Sequence, residues 1–188
     1  MNLPNKLTVL RIIMIPLFTA IFYITAVPYN FVLSAVIFAI AAFTDFLDGH
    51  IARKYNMVTD FGKFLDPIAD KVLVSTALII MLLPLGVEIL PWYGAICVAV
   101  ILTRELIVSG FRLIAAGKGM VIAADKSGKI KTFLTDIAIV VLLVSANFIN
   151  ALPWLNLVGR ILLYLSTLLT IYSGAECMIK NKGVISSK

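Results

Sequence analysis

The sequence predicts an all-α, polytopic membrane protein with six transmembrane helices and both termini in the cytoplasm. Three observations predict it. The chain is 61% hydrophobic with only 14% charged residues, against about 25% in a soluble domain, and its mean hydropathy is +1.04. Six apolar runs, Leu7–Val27, Phe31–Phe43, Val72–Leu90, Trp92–Leu102, Phe133–Phe148 and Leu155–Ile179, approach the roughly 20 residues that cross a bilayer as helix. The basic residues fall on one set of connections. A soluble chain of 188 residues has no core large enough to hide this much apolar surface.

The runs predict helices over about 4–27, 31–52, 63–84, 92–116, 128–148 and 154–178. The first is too long for a signal-peptide core and lacks a small-x-small cleavage site, so it reads as a retained helix. The two shortest runs continue through polar residues of the same helices. Pro28, Pro84, Pro91 and Pro153 punctuate one set of turns, and Gly117, Gly119 and Gly128 the longest loop of the other. No internal repeat, heptad pattern or appended soluble region is visible, so residues 1–188 read as a single domain.

The connections Ala26–Asn30, Pro84–Pro91 and Asn147–Pro153 hold no Lys or Arg. The opposite side carries Lys6, Arg11, Arg53, Lys54, Lys63, Lys118, Lys126, Lys129, Lys131, Lys180, Lys182 and Lys188. The positive-inside rule then puts both termini in the cytoplasm. The net charge of +6 is thus an orientation signal and not a nucleic-acid footprint. Arg160, near the outer start of the sixth helix, either snorkels outward or pairs inside the bundle. Cys97 and Cys177 sit in apolar runs and imply no pairing.

Five of the ten acidic residues crowd into the stretch from Thr44 to Asp70. Asp45 and Asp48 fall in the last turns of the second helix, Asp66 and Asp70 in the first turns of the third. Spacings of three and four put each pair on one helix face, and antiparallel neighbours bring both pairs to one depth. Carboxylates so close, in low dielectric, stay protonated or need cations. Hard divalent cations with oxygen ligands suit them, and no His or Cys set is on offer for zinc. His50 reads as structural or interfacial, and Asp60, after Thr59, as a helix cap. Gly49 and Ala52 share the face of Asp45 and permit a close approach, which helix packing would want equally. Arg53 is a fork donor suited to phosphate.

The pattern Asp45-x-x-Asp48-Gly49-x-x-Ala52-Arg53, eight residues, Gly62-x-x-x-Asp66-x-x-x-Asp70 resembles the complete signature of the CDP-alcohol phosphotransferases, and the six-helix layout resembles that family over nearly the whole chain. The resemblance implies an intramembrane homodimer, active near the cytoplasmic face, that moves a phosphatidyl group from a CDP-lipid to an alcohol and releases CMP. It implies two divalent metal ions, Mg²⁺ or Mn²⁺, held by Asp45, Asp48 and Asp66. Asp70 is implied as the base that also touches the metal site. Gly49, Ala52 and Gly62 are implied to make room for the cytidine nucleotide, and Arg53 to meet its phosphates.

The acceptor is left to other residues. Arg104 lies several residues inside the predicted fourth span and needs an anionic partner. Adjacent helix residues point about 100° apart, so a phosphate suits it better than Glu105. The stretches around Arg104-Glu105-Leu106, Ser109-Gly110-x-Arg112 and Ser127-Gly128-Lys129-Ile130-Lys131-Thr132 resemble the phosphatidylglycerophosphate synthase branch. That implies CDP-diacylglycerol as donor, sn-glycerol 3-phosphate as acceptor, and Arg104, Arg112, Lys126, Lys129 and Lys131 on the acceptor phosphate. The three lysines serve positive-inside topology equally well. Inositol phosphate, serine or phosphatidylglycerol are the alternative acceptors. Pro4-Asn5-x-x-Thr8-x-x-Arg11 also resembles this branch; Asn5, Thr8 and Arg11 share one helix face and are expected to line the nucleotide pocket, with helix capping the alternative for Asn5. The implied location is the bacterial cytoplasmic membrane, among membrane lipid. Asp136 either orients a cation of the acceptor site or bonds between helices, and Glu176 is expected to be solvated. An ion-coupled transporter would favour midplane carboxylates and paired repeats, and a scaffold would leave the aspartates unexplained.

Overall fold

A computed structural model describes residues 2–54, 59–83, 86–118, 120 and 126–182; the side chains of Phe46, Asp48–Lys54, Asp60, Phe61, Lys63 and Lys126 are outside that description. The described residues form six helices and no strand: α1 (Leu3–Tyr23), α2 (Asn30–Lys54), α3 (Asp60–Ile80), α4 (Gly94–Gly117), α5 (Lys126–Asn147) and α6 (Pro153–Lys180). The chain is all-α, as expected. α1, α4, α5 and α6 are each long and apolar enough to cross a membrane. The stretch Asn30–Asp45 of α2 is apolar as well, and α3 begins in the acidic stretch. Large apolar side chains face outward, among them Leu106 at 72% and Leu113 at 76% exposure. A soluble surface would not carry them, and this is an integral membrane protein.

α1 packs along α2 and α3, α2 along α5, α5 along α6 and α6 along α4, while α3 meets α2, α4 and α5 more lightly. Lipid is as apolar as leucine, so fit and hydrogen bonding must hold these helices together. Phe18 meets Phe38 across α1 and α2 with ring centroids 6.1 Å apart, and Phe22 meets Phe31 edge-on at 5.1 Å. At the α5–α6 seam Gly159 lets the backbones approach: a Cβ there would lie 2.8 Å from Leu142 Cγ. Buried hydroxyls bond across or along the seams, as Thr135 does with Ser166 at 2.5 Å.

One end of the bundle is closed by side chains that grip backbone. Asn30 donates to the Phe22 carbonyl at 2.8 Å, and the Val32 amide donates to Asn147 Oδ1 at 2.9 Å. Asn156 and Arg160 both donate to the Ile89 carbonyl at 3.3 Å, and Arg160 also reaches the Glu88 carbonyl at 3.1 Å. Arg160 thus reaches toward this end of the bundle and pairs there with backbone carbonyls of the segment after α3. The other end gathers the polar residues.

Candidate active site

The site grows from the buried face of α1. Pro4, Asn5, Thr8, Arg11, Ile15, Phe18 and Phe22 are buried at spacings of one to four residues. The lower half of that stripe is polar and meets the carboxylates. Arg11, wholly buried, donates from Nη1 to Asp45 Oδ1 at 2.7 Å and from Nε to the Ala41 carbonyl at 3.3 Å. One turn earlier, Thr8 Oγ1 donates to Asp66 Oδ1 at 2.5 Å, with the Pro4 carbonyl farther off at 3.2 Å. α1 therefore holds one carboxylate of α2 and one of α3. α2 and α3 also touch each other, more lightly than either packs on α1.

Asn5 extends the seam. Its Oδ1 accepts from Thr59 Oγ1 at 2.9 Å, and Thr59 Oγ1 accepts from the Gly62 amide at 3.1 Å, capping α3. A Cβ on Gly62 would come within 3.0 Å of Asn5 Oδ1, so glycine permits this approach. Two expectations are corrected here. The cap of α3 is Thr59 and not Asp60, because the threonine hydroxyl reaches the third amide onward. Asn5 lies inside α1 and caps nothing in it, since Asn2 occupies the cap position.

A second cluster joins α3, α4, α5 and α6. Glu105 Oε1 accepts from Lys131 and from Arg104 Nη1 at 3.1 Å. Neighbours in a helix do meet here, contrary to the expectation, because the long guanidinium stem spans the angle between them. Arg104 Nη2 donates to Ser173 Oγ at 2.9 Å, and Gly174 opens the space, its Cβ position lying 3.0 Å from Arg104 Cγ. Lys71 donates to Ser109 Oγ, which bonds the Glu105 carbonyl at 2.5 Å. The buried Nε atoms of Arg104 and Arg112 have no hydrogen-bond partner among the described residues. They are two guanidinium donors available to an anion.

A cleft opens between these helices, lined by Asp70, Lys71, Glu105, Lys131, Thr132 and Thr135 among others. Asp70 stands at the junction. It is close enough to feel the charges of Asp45 and Arg11 on one side and of Glu105 and Lys131 on the other. Asp45 likewise feels Asp66. Carboxylates so placed offer hard oxygen donors of the kind Mg²⁺ and Mn²⁺ take. Among the described residues no three His, Cys, Asp or Glu side chains close into a ligand set, and the Asp48 side chain is not among them. A carboxylate cluster beside a cationic cleft, at one end of a membrane bundle, is the arrangement that a phosphate-bearing lipid and a polar phosphate would need together.

A profile of the CDP-alcohol phosphatidyltransferase family matches residues 1–172. The chain belongs to that family. Relatives named CDP-diacylglycerol–glycerol-3-phosphate 3-phosphatidyltransferase share 43% identity in Rickettsia bellii, over 92% of this chain and 91% of the relative. The one from Bacillus subtilis shares 42%, over 96% and 95%, and that from Salmonella typhimurium 35%, over 97% and 96%.

Of the residues expected on a phosphatidyltransferase site, Asp45, Asp66, Asp70, Asn5, Thr8 and Gly62 gather around α1 and the start of α3. Arg104 and Lys131 meet on Glu105. Lys129 is exposed. Asp48, Gly49, Ala52, Arg53 and Lys126 lie in α2 and α5, but their side chains are outside the described residues. Glu176, expected to be solvated, accepts from Ser127 at 2.8 Å and from Lys180 at 2.6 Å. Asp136 has a buried Oδ1 with no hydrogen-bond partner among the described residues. Lys71 and Ser173 were missed, while Ser109 and Thr59 were named without their bonds to Lys71 and Asn5. Lys71 directly follows Asp70, and that adjacency was a signal. Ser173 had none, because its partner lies 69 positions away.

Proposed function

We propose that the chain transfers a phosphatidyl group from CDP-diacylglycerol to sn-glycerol 3-phosphate, giving phosphatidylglycerophosphate and CMP. The names of its relatives support this reading. The observation that carries it is Asp70, poised between the aspartate cluster and the cleft of Lys131, Glu105 and Arg104. Asp70 takes the proton of the acceptor hydroxyl. The freed oxygen bonds to the phosphorus that carries diacylglycerol, and the bond from that phosphorus to the CMP oxygen breaks. Arg104, Arg112, Lys126, Lys129 and Lys131 bind the acceptor's phosphate. Gly49, Ala52, Arg53 and Gly62 form the nucleotide side with Asn5. Asp45, Asp48 and Asp66 would hold two divalent ions, with Asp70 beside them. Such ions, when bound, neutralise a pyrophosphate and hold attacking and leaving oxygens in line.

All six helices cross the bacterial cytoplasmic membrane in this reading. Lys and Arg concentrate at the end that holds the site, which supports a cytoplasmic active site and cytoplasmic termini. CMP and the acceptor then come from water while acyl chains stay in lipid. The working unit is a homodimer, as the family resemblance implies. The cationic cleft favours a phosphorylated acceptor over serine. The test is CMP release from CDP-diacylglycerol by purified protein with Mg²⁺ or Mn²⁺, offered glycerol 3-phosphate, inositol phosphate, serine or phosphatidylglycerol in turn. Turnover with glycerol 3-phosphate alone is the expected result. Turnover with another acceptor alone replaces the acceptor, and no CMP release with any of them removes the reaction.

A further inference from the structure

We propose that α1 is the positioning element of the metal site: Thr8 and Arg11 hold Asp66 and Asp45 in the orientations that bind the ions. The inference rests on the reading of those aspartates as ligands, and it gives Thr8 and Arg11 a different duty from the nucleotide contact expected from the sequence. Thr8 and Arg11 are three positions apart on the buried face of α1. Each engages one oxygen of a carboxylate from a different helix, at 2.5 Å and 2.7 Å. A hydroxyl has a single proton to give, and the shorter of the two Thr8 contacts goes to Asp66. Thr8 is 1% and Arg11 0% exposed, so neither can swing out to serve a ligand without leaving its seat.

The chemistry gives this placement a consequence. Groups that hydrogen-bond to ligating carboxylates fix ligand orientation, and losing one typically costs about 10- to 100-fold in metal affinity. Arg11 also brings a fixed positive charge to a site where Asp45 and Asp66 repel each other, which lets the cluster stay together before any ion arrives. The Asn5–Thr59 bond fixes the start of α3 against the same helix, so Asp66 is held through its backbone as well as through its carboxylate.

Thr8→Val, Thr8→Ser and Arg11→Lys test the assignment by two readouts: the Mn²⁺ concentration for half-maximal activity, and the rise in thermal unfolding midpoint that Mn²⁺ gives in the absence of substrates. Thr8→Val and Arg11→Lys are expected to raise the half-activating concentration by about tenfold or more and to shift the thermal titration equally. Thr8→Ser should stay near the parent, and the KM for CDP-diacylglycerol at saturating Mn²⁺ should stay within about twofold. A Thr8→Val protein with unchanged Mn²⁺ dependence and a raised KM for CDP-diacylglycerol overturns the inference and returns Thr8 to the nucleotide. A parent protein that Mn²⁺ stabilises without any transferase activity separates failure of the reaction from failure of the positioning role, because the thermal readout needs no turnover.

Discussion

Lys131 of α5 and Glu105 of α4 form an ion pair on the wall of the cleft that holds Asp70. The same Glu105 oxygen holds Arg104, so one carboxylate keeps two cations side by side. Glu105→Gln keeps the shape and removes the charge, leaving two partly buried cations on a neutral amide. A stability loss of about 1–3 kcal/mol is expected. The KM for glycerol 3-phosphate should rise about tenfold, equivalent to about 1.4 kcal/mol, with that for CDP-diacylglycerol little changed. Steady-state kinetics on both substrates decides it, and equal changes in the two KM values would count against a cleft built for the acceptor.

Arg104→Ala and Arg112→Ala remove the guanidinium groups whose Nε atoms lack partners among the described residues. Each should raise the KM for glycerol 3-phosphate more than that for CDP-diacylglycerol. Arg104→Ala also frees Ser173 and should lower the thermal midpoint. A loss confined to CDP-diacylglycerol would assign these residues to the donor.

Asp70→Asn tests the base. Positioned proton transfer is worth about 10²- to 10⁴-fold, and a loss of that size in kcat is expected. Stabilisation by Mn²⁺ should persist in part, through Asp45, Asp48 and Asp66. Full activity in this variant removes the role.

Gly159→Ala would place a methyl 2.8 Å from Leu142 Cγ and 3.2 Å from the Leu142 amide nitrogen. Overpacking of this kind costs about 1–3 kcal/mol. The thermal midpoint should fall while the Mn²⁺ requirement stays at the parent value, since the seam lies away from the carboxylates. An unchanged midpoint would show that α5 and α6 can part there.

The helices and the aspartates were legible in the sequence because each depends on near neighbours: apolar runs long enough to span, and carboxylates three or four positions apart on a face. The start of α3 was misjudged by a few residues, since a threonine cap works through a hydroxyl that composition does not reveal. What the spacing could not supply was the part of α1. Thr8 meets Asp66 across 58 positions and Arg11 meets Asp45 across 34, and such contacts depend on which helices pack together. The expectation for Arg104 and Glu105 failed differently. Helical geometry sets where Cβ atoms point, but a guanidinium on a long stem can come back to its neighbour.

The Ile89 carbonyl, with Asn156 and Arg160 both bonded to it, acts as a rivet between α6 and the segment that follows α3. Two rods fastened near one tip keep their spacing at the far tip only as well as something there restrains them. At the far tips of α3 and α6 lie Asp66 and Ser173. Ser173 bonds to Arg104 of α4 and Lys71 of α3 to Ser109 of α4, so α4 is a gauge as well as part of a charge cluster: it sets the width of the jaw between α3 and α6 at the end that holds the carboxylates.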